Sequence, residues 1–189
     1  MNFAPHASQY ALRCAHAKRG SVVFPDECRF GQQGTLTRKW AKRGSQPTAV
    51  RQTEYNSLWV IAAASPPTGQ AEAILSPVLK TGIIHQFLDQ FSRSLAADVQ
   101  AVMIWDGAGF HTAHDLQVPS NVTLIKLPPY SSELNGIENL WHYLRSHCWS
   151  NRTYADDLFE VAESTWCKNC LDPELIKSVC GKSYTQTRS

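Results

Sequence analysis

Residues Val99–Trp105 form a nearly uninterrupted apolar run, VQAVMIW, that ends at Asp106-Gly107. Strands with this pattern are buried on both faces, which means a sheet covered by helices. Two further runs, Leu58–Ala64 and Val122–Leu127, are each followed by a pair of prolines and also predict strands. The longest uninterrupted apolar run has only seven residues, whereas a membrane-spanning helix needs about 20.

Apolar residues spaced three and four apart predict helices between and after these strands. Residues 80–95 carry such a spacing along one face. A second helix is predicted after Asn135, which suits an N-cap, and Glu138 falls at its third position, where a capping box places an acid. A third helix is predicted after Thr153. Strands that alternate with helices in this way indicate a mixed α/β sheet with helices on its faces.

The first strand and the domain limits follow from chain length and from the prolines. The run Ser21–Phe24 is rich in β-branched residues and is expected to end at Pro25. A chain of 189 residues has room for one domain of ordinary size. We expect a linker or remnant over residues 1–20, the domain over 21–170 and a tail over 171–189. The first ten residues contain no apolar signal core, so export is not expected.

Charge is unevenly distributed along the chain. Residues 1–60 carry nine Lys and Arg against three Asp and Glu, whereas residues 61–189 carry nine against thirteen. The net charge of +6 in this first third suits a surface that binds a polyanion. Solvated charges scattered over the surface would give the same net charge. Trp40, at the end of a predicted strand Thr35–Trp40, is interpreted as a core residue rather than a stacking one. The basic residues of this region, which are candidates for contacts with a DNA backbone, are Arg29, Arg38, Lys39, Lys42 and Arg43.

Three acidic residues lie where a catalytic site would be built. Asp26 follows the strand VVF, Asp106 follows the strand AVMIW, and Glu138 opens a predicted helix. Each alone has a structural explanation as a turn or capping residue. If they converge, they form a set of hard oxygen donors without Cys or His, which suits magnesium or manganese.

The sequence lacks the residues that nucleotide-binding, hydrolase and zinc sites require. Gly107-x-Gly109 follows a strand, but Thr112 occupies the third glycine position of a dinucleotide fingerprint. The chain contains neither a G-x-S-x-G nucleophile turn nor a phosphate-binding G-x-x-x-x-G-K-[ST] loop. The six cysteines are expected to be reduced thiols rather than a disulfide framework, because export is not expected. Cys167-x-x-Cys170 is the only close pair and has no matching second pair for a zinc site.

Two long stretches resemble a known family. The stretch Asp106–Arg145, with DGAGFHTAHD and LPPYSSELNGIENLWHYLR, resembles the catalytic core of DDE transposases from bacterial insertion sequences of the mariner-like superfamily. The stretch Pro25–Pro47 resembles the first-aspartate motif of that branch. The resemblance implies a ribonuclease-H-like fold, with Asp26, Asp106 and Glu138 as the catalytic acids and metal ligands. The 31 residues between the last two acids are close to the spacing of the superfamily.

The resemblance also implies a reaction, a cofactor and partners. The expected reaction is metal-dependent DNA strand cleavage and strand transfer, with two magnesium or manganese ions. The expected partners are transposon ends and target DNA, usually at TA, with a homodimer as the active form in the bacterial cytoplasm. His111 matches a position where the family often has histidine, for which two roles stay open: contact with the scissile phosphate of the DNA, or support of the loop after Asp106. Glu138, His142 and Arg145 share one helix line, so both basic residues are candidates for DNA contact.

The chain departs from the family pattern around the third acid. That pattern reads S-P-E-L-N-P-[IV]-E, whereas this chain has Ser132 and Gly136 in place of the prolines. We expect proline at position 136 to stabilise the helix start. The family's N-terminal helix-turn-helix region is not found in this sequence, so the chain is expected to be either the second frame of a split gene or a truncated relic. Two alternatives to a working transposase catalytic domain stay open. One is an inactive truncated remnant that binds DNA weakly or only assembles with partner subunits, and the other is a stand-alone nuclease of the same fold.

Overall fold

A computed structural model describes residues 19–32, 40–45, 48, 55–106, 116–128, 131–154 and 157–181. Within these ranges, no helix is long and apolar enough to cross a bilayer. The predictions for Arg38, Lys39 and His111 lie outside the described residues, as does the predicted strand up to residue 39.

The described residues form a mixed five-stranded sheet in the order β3-β2-β1-β4-β5. Its strands are β1 (Arg19–Gly31), β2 (Ser57–Ser65), β3 (Gln70–Ser76), β4 (Val99–Trp105) and β5 (Val122–Lys126). The pairs β1–β2 and β2–β3 are antiparallel, whereas β1–β4 and β4–β5 are parallel. The predicted strands at β2, β4 and β5 are confirmed, and β3 was not predicted.

β1 does not end at Pro25, as predicted, but continues to Gly31. Its first part pairs with β4 only as far as Val23, and from Phe24 onward it pairs with β2. Pro25 therefore lies where the strand has a neighbour on one side only, and an edge position of this kind tolerates the missing N–H of proline. As a result, Asp26 is a residue within the strand rather than one in the turn after it.

Four helices are described, and they cover both faces of the sheet. They are α1 (Thr81–Ser94), α2 (Ile137–Leu144), α3 (Leu158–Asn169) and α4 (Pro173–Cys180), and a π-helical turn, Arg145–Trp149, continues α2. The apolar face of α1 packs with Val23 and Ile61 on one face of the sheet. Residues from α2, α3 and α4 pack with Phe24 and Leu58 on the other face. The predicted α/β architecture with flanking helices is confirmed.

The start of α2 differs from the prediction by one residue. Gly136, not Asn135, is the N-cap, and Glu138 is the second helical residue rather than the third. The Asn135 side chain makes no capping bond; its Nδ2 donates to the carbonyl of Pro25 at 3.1 Å. Asn135 is thus used to join α2 to β1 rather than to cap the helix.

The segment predicted as a tail beyond residue 171 contains a packed helix. Asp172 caps α4 by accepting a bond from the Glu174 amide at 3.0 Å, and Pro173 occupies its first turn. Ile176 and Cys180 are fully buried in the core. Two turns of helix give too short a pattern for a firm sequence prediction, although a cap followed by proline is a helix-start signal. Residues 182–189 lie outside the described part of the chain.

Candidate active site

A cleft of about 580 Å³ opens where β4 ends and β1 continues alone beside β2. Beyond Val23, β1 has no neighbouring strand among the described residues on the side where β4 ended. Side chains from both faces of the sheet, such as those of the successive residues Asp26 and Glu27, therefore reach this opening. The three predicted acids, Asp26, Asp106 and Glu138, all line this one cleft. The remaining lining residues are Glu27, Trp59, Leu79, Trp141 and Arg145.

Asp26 is the most buried of the three acids. The residue is 7% exposed, and Oδ2 accepts a hydrogen bond from the indole Nε1 of Trp141 at 2.9 Å. Burial raises the pKa of Asp26 to about 7, and the negative charge of Glu138 adds to this rise, against bonds from the Glu27 amide and Trp141 that lower it. A cation bound nearby would therefore stabilise the ionised form of this carboxylate.

Glu138 and Asp106 reach the cleft from two other elements. Glu138 lies in the first turn of α2, at the positive end of the helix dipole, and is partly buried. Asp106 directly follows β4 at the carboxyl end of that strand and is also partly buried. The segment that follows it, residues 107–115, lies outside the described residues.

The oxygen donors of the cleft suit a divalent cation, but the side chains are not positioned as a complete set of metal ligands. Four carboxylates line one opening, those of the three predicted acids and of Glu27, and the charges of Asp26 and Glu138 repel each other there. Oxygen-only donors are those that magnesium and manganese prefer. Within the described ranges, however, no group of three or more His, Cys, Asp or Glu is arranged so that it could hold a metal ion.

Of the two basic residues predicted on the helix line of Glu138, Arg145 lines the cleft and His142 does not. The residues of this helix that line the cleft are Glu138, Trp141 and Arg145, whereas His142 is exposed and does not line it, although it follows Glu138 by four residues. Arg145 Nη2 donates to Cys28 Sγ at 3.1 Å. Burial raises the pKa of Cys28 to about 11, so the thiol stays neutral as an acceptor.

The other basic candidates within the described residues, Arg29, Lys42 and Arg43, do not line the cleft. Arg29 is exposed on β1, and its Nε donates to Ser57 Oγ at 3.0 Å. Lys42 and Arg43 are exposed in the segment 40–45. Trp40 is also fully exposed, so its interpretation as a core residue was wrong.

Sequence reasoning missed part of the lining. Trp141 was not among the predicted site residues; it is 1% exposed in the core, and it also hydrogen-bonds Asp26. Its position three residues after Glu138 was the signal that it shares a helix face with that acid. Glu27 was not among the predicted site residues, yet it borders the cleft, where β1 no longer has β4 as a neighbour. Nothing in the sequence pattern pointed to Trp59 or Leu79.

The cysteines described are free thiols: Cys28, Cys148, Cys167, Cys170 and Cys180. Cys170 and Cys180 are fully buried in the core. Burial raises the pKa of Cys180 to about 12, so this thiol is protonated at neutral pH. These two cysteines therefore act as small apolar side chains in the packing of α3 and α4.

The sequence matches one family model and one bacterial protein. The chain matches the model of the DDE superfamily endonuclease family over residues 21–158. The uncharacterized protein y4pE/y4sA of Sinorhizobium fredii is 34% identical over 123 residues, which are 64% of this chain and 91% of that protein.

The fold is similar to that of solved Mos1 transposase complexes. A Mos1 strand transfer complex superposes with a TM-score of 0.66 at 15% identity over 96% of this chain, and a Mos1 paired-end complex with the left transposon end gives 0.68 at 15% identity over 94%. The chain spans 56% and 55% of the lengths of those two chains. The predicted ribonuclease-H-like fold is confirmed by this likeness. Because the family model matches most of this chain, the chain belongs to the DDE superfamily of endonucleases.

Proposed function

We propose that this chain is the catalytic domain of a DNA transposase that cleaves DNA strands and joins them to target DNA by phosphoryl transfer. The observation that carries the proposal is the meeting of Asp26, Asp106 and Glu138 at one cleft from β1, the end of β4 and the start of α2. These residues are far apart in sequence, and turn or capping roles would not require them to share an opening.

The three acids would hold magnesium or manganese, and we propose two ions. When bound, the metal would activate a water or a DNA 3′-hydroxyl as the nucleophile and would stabilise the leaving oxygen. Asp26 and Glu138 provide adjacent negative charge whose repulsion a cation relieves. Arg145, at the edge of the same cleft, would bind a phosphate of the DNA strand and orient it toward the acids.

DNA is the proposed partner, as both transposon end and target, with a homodimer as the active assembly in the bacterial cytoplasm. The solved relatives include a Mos1 complex with its left transposon end, and the basic first third of this chain supplies charge for such a ligand. The residues proposed to contact the DNA are Arg29, Arg38, Lys39, Lys42, Arg43, His111, His142 and Arg145.

An inactive remnant is the second candidate, and a specific observation favours it. The described carboxylates are not positioned as a complete set of metal ligands, and Ser132 and Gly136 replace the prolines of the family pattern near Glu138. A remnant would bind DNA without cutting it, so a measurement of cutting separates the two candidates.

The test is nicking of supercoiled plasmid in magnesium or manganese. We expect wild-type nicking to be lost in Asp26→Asn, Asp106→Asn and Glu138→Gln but kept in Glu163→Gln, an exposed acid on α3. Absence of nicking by the wild type in both metals would favour the remnant. Joining of a labelled 3′-hydroxyl oligonucleotide to plasmid would separate a transposase from a stand-alone nuclease, which would nick but not join.

A further inference from the structure

Three side-chain donors on and around α2 bind β1 close to Asp26. Asn135 Nδ2 donates to the Pro25 carbonyl at 3.1 Å, and Trp141 Nε1 donates to Asp26 Oδ2 at 2.9 Å. Arg145 Nη2 donates to Cys28 Sγ at 3.1 Å. The helix that carries Glu138 is therefore bonded to the strand that carries Asp26 at several successive positions.

Two of these donors flank Glu138 in sequence and are both buried. Asn135 precedes it by three residues, Trp141 follows it by three, and each is only 1% exposed. Their acceptors belong to the consecutive residues Pro25 and Asp26. With bonds on either side of Glu138, α2 cannot slide along β1 or rotate against it without breaking a buried hydrogen bond, which is costly.

The bond from Trp141 also fixes the direction of the Asp26 carboxylate. An indole N–H can only donate, so its role in the pair is unambiguous. Hydrogen bonds to a metal-binding carboxylate orient it, and their loss typically lowers metal affinity. Packing alone does not require this bond, because Trp149 lies in the same core and its Nε1 has no partner among the described residues.

We propose that Asn135 and Trp141 are positioning residues that hold the carboxylates of Asp26 and Glu138 in the relative placement a divalent cation needs. This inference rests on the proposed metal-dependent function. Neither residue touches substrate; each acts through one of the two acids.

The test is Mn²⁺ binding to the DNA-free protein, measured from the EPR signal of the unbound ion. We expect Trp141→Phe, which keeps an aromatic ring and removes the donor, to weaken binding by about 10- to 100-fold. Trp149→Phe is the matched control, since it removes an indole of the same size from the same core without removing a bond to an acid. Asn135→Ala should also weaken binding, with thermal melting used to confirm that each variant is folded.

Binding by Trp141→Phe as tight as that of the wild type would overturn the inference, as would equal losses in Trp141→Phe and Trp149→Phe. A wild type that binds no Mn²⁺ would instead refute the proposed function, and the inference would fall with it.

A second measurement needs no change at Trp141. In ¹⁵N-labelled protein, the indole signal of Trp141 should shift on addition of Mg²⁺ and in Asp26→Asn, whereas that of Trp149 should not. A Trp141 signal that moves in neither case would overturn the inference even if Trp141→Phe fails to fold.

Discussion

At Asp26, burial and the neighbouring charge of Glu138 both oppose ionisation. The resulting pKa of about 7 lies far above the ordinary value of 3.8. The folded protein therefore holds a proton at Asp26 through a pH range in which the unfolded chain has already lost it. Without a bound cation, ionisation of Asp26 therefore lowers the free energy of unfolding, and this loss can be measured.

The first prediction concerns pH. Because the folded-state pKa of Asp26 is raised, the stability contributed by this group is present below about pH 4 and is lost as pH rises through about 7. Asp26→Asn should therefore exceed the wild type in free energy of unfolding by about 1–3 kcal/mol at about pH 8, with the difference shrinking toward about pH 4. Urea unfolding with a chelator present measures this, and Glu163→Gln serves as the control. A constant difference at all pH values would contradict it.

The second prediction concerns metal. At about pH 8, a cation that relieves the repulsion between the acids should stabilise the folded state by mass action. We expect saturating Mg²⁺ or Mn²⁺ to raise the Tm by about 5 °C, and Asp106→Asn to abolish the rise. Thermal melting measures both. Equal responses of wild type and variant would show that the ion does not bind at Asp106.

At the scale of elements, sequence reasoning succeeded where periodicity was strong and failed where a local rule was overridden by pairing. The apolar run of β4 and the apolar face of α1 predicted that these segments are a strand and a helix, with bounds close to those observed. Pro25 signalled a strand end, but the loss of β4 as a neighbour at that point turns it into an edge position that proline can occupy. β3 was missed because it lies at the edge of the sheet and most of its residues are only partly buried.

The third prediction revises the expected effect of proline at position 136. Gly136 has a φ of −60°, which suits proline, but a Cβ there would lie 3.0 Å from the Cys180 carbonyl at the end of α4. Since backbone on a packed helix yields little, we expect Gly136→Ala and Gly136→Pro to lower stability by about 1 kcal/mol or more.

Gly82 provides the control for this prediction. It lies in α1, and a methyl group added there would meet no atom of the described residues within 4 Å, so Gly82→Ala should stabilise by about 0.5–1 kcal/mol. Denaturant unfolding of the three variants compares them directly. If proline at 136 stabilises the protein, α4 is free to move away from the start of α2, and its packing there is looser than described.

At the scale of the whole molecule, the meeting of the three acids depends on strand order. The sequence placed Asp106 at a strand end and Glu138 at a helix start, but only the resemblance indicated that they converge with Asp26. The pairing of β1 with β4 over residues 19–23 alone creates the opening that brings them together. Long-range pairing of this kind leaves no local signal, which is why Trp59 and Leu79, from β2 and the segment before α1, could not be predicted as lining residues.

The last prediction concerns DNA binding by the chain as a whole. The net charge is positive over residues 1–60 and negative over the rest of the chain, and three of the basic residues proposed to contact DNA, Arg29, Lys42 and Arg43, are exposed. Contacts of this kind are made with phosphates rather than bases, so affinity should be weak, fall steeply with salt and vary little with sequence.

A gel-shift titration across about 50–200 mM salt measures these properties. Changing Arg29, Lys42 and Arg43 together to Gln should reduce the slope of log K against log salt by about 3, roughly one per lost phosphate contact. Lys168→Gln, an exposed lysine on α3 in the acidic part of the chain, should leave the slope unchanged. A tight complex with one particular duplex that resists salt would mean that this chain reads base sequence, and the basic first third would then be more than a surface for the DNA backbone.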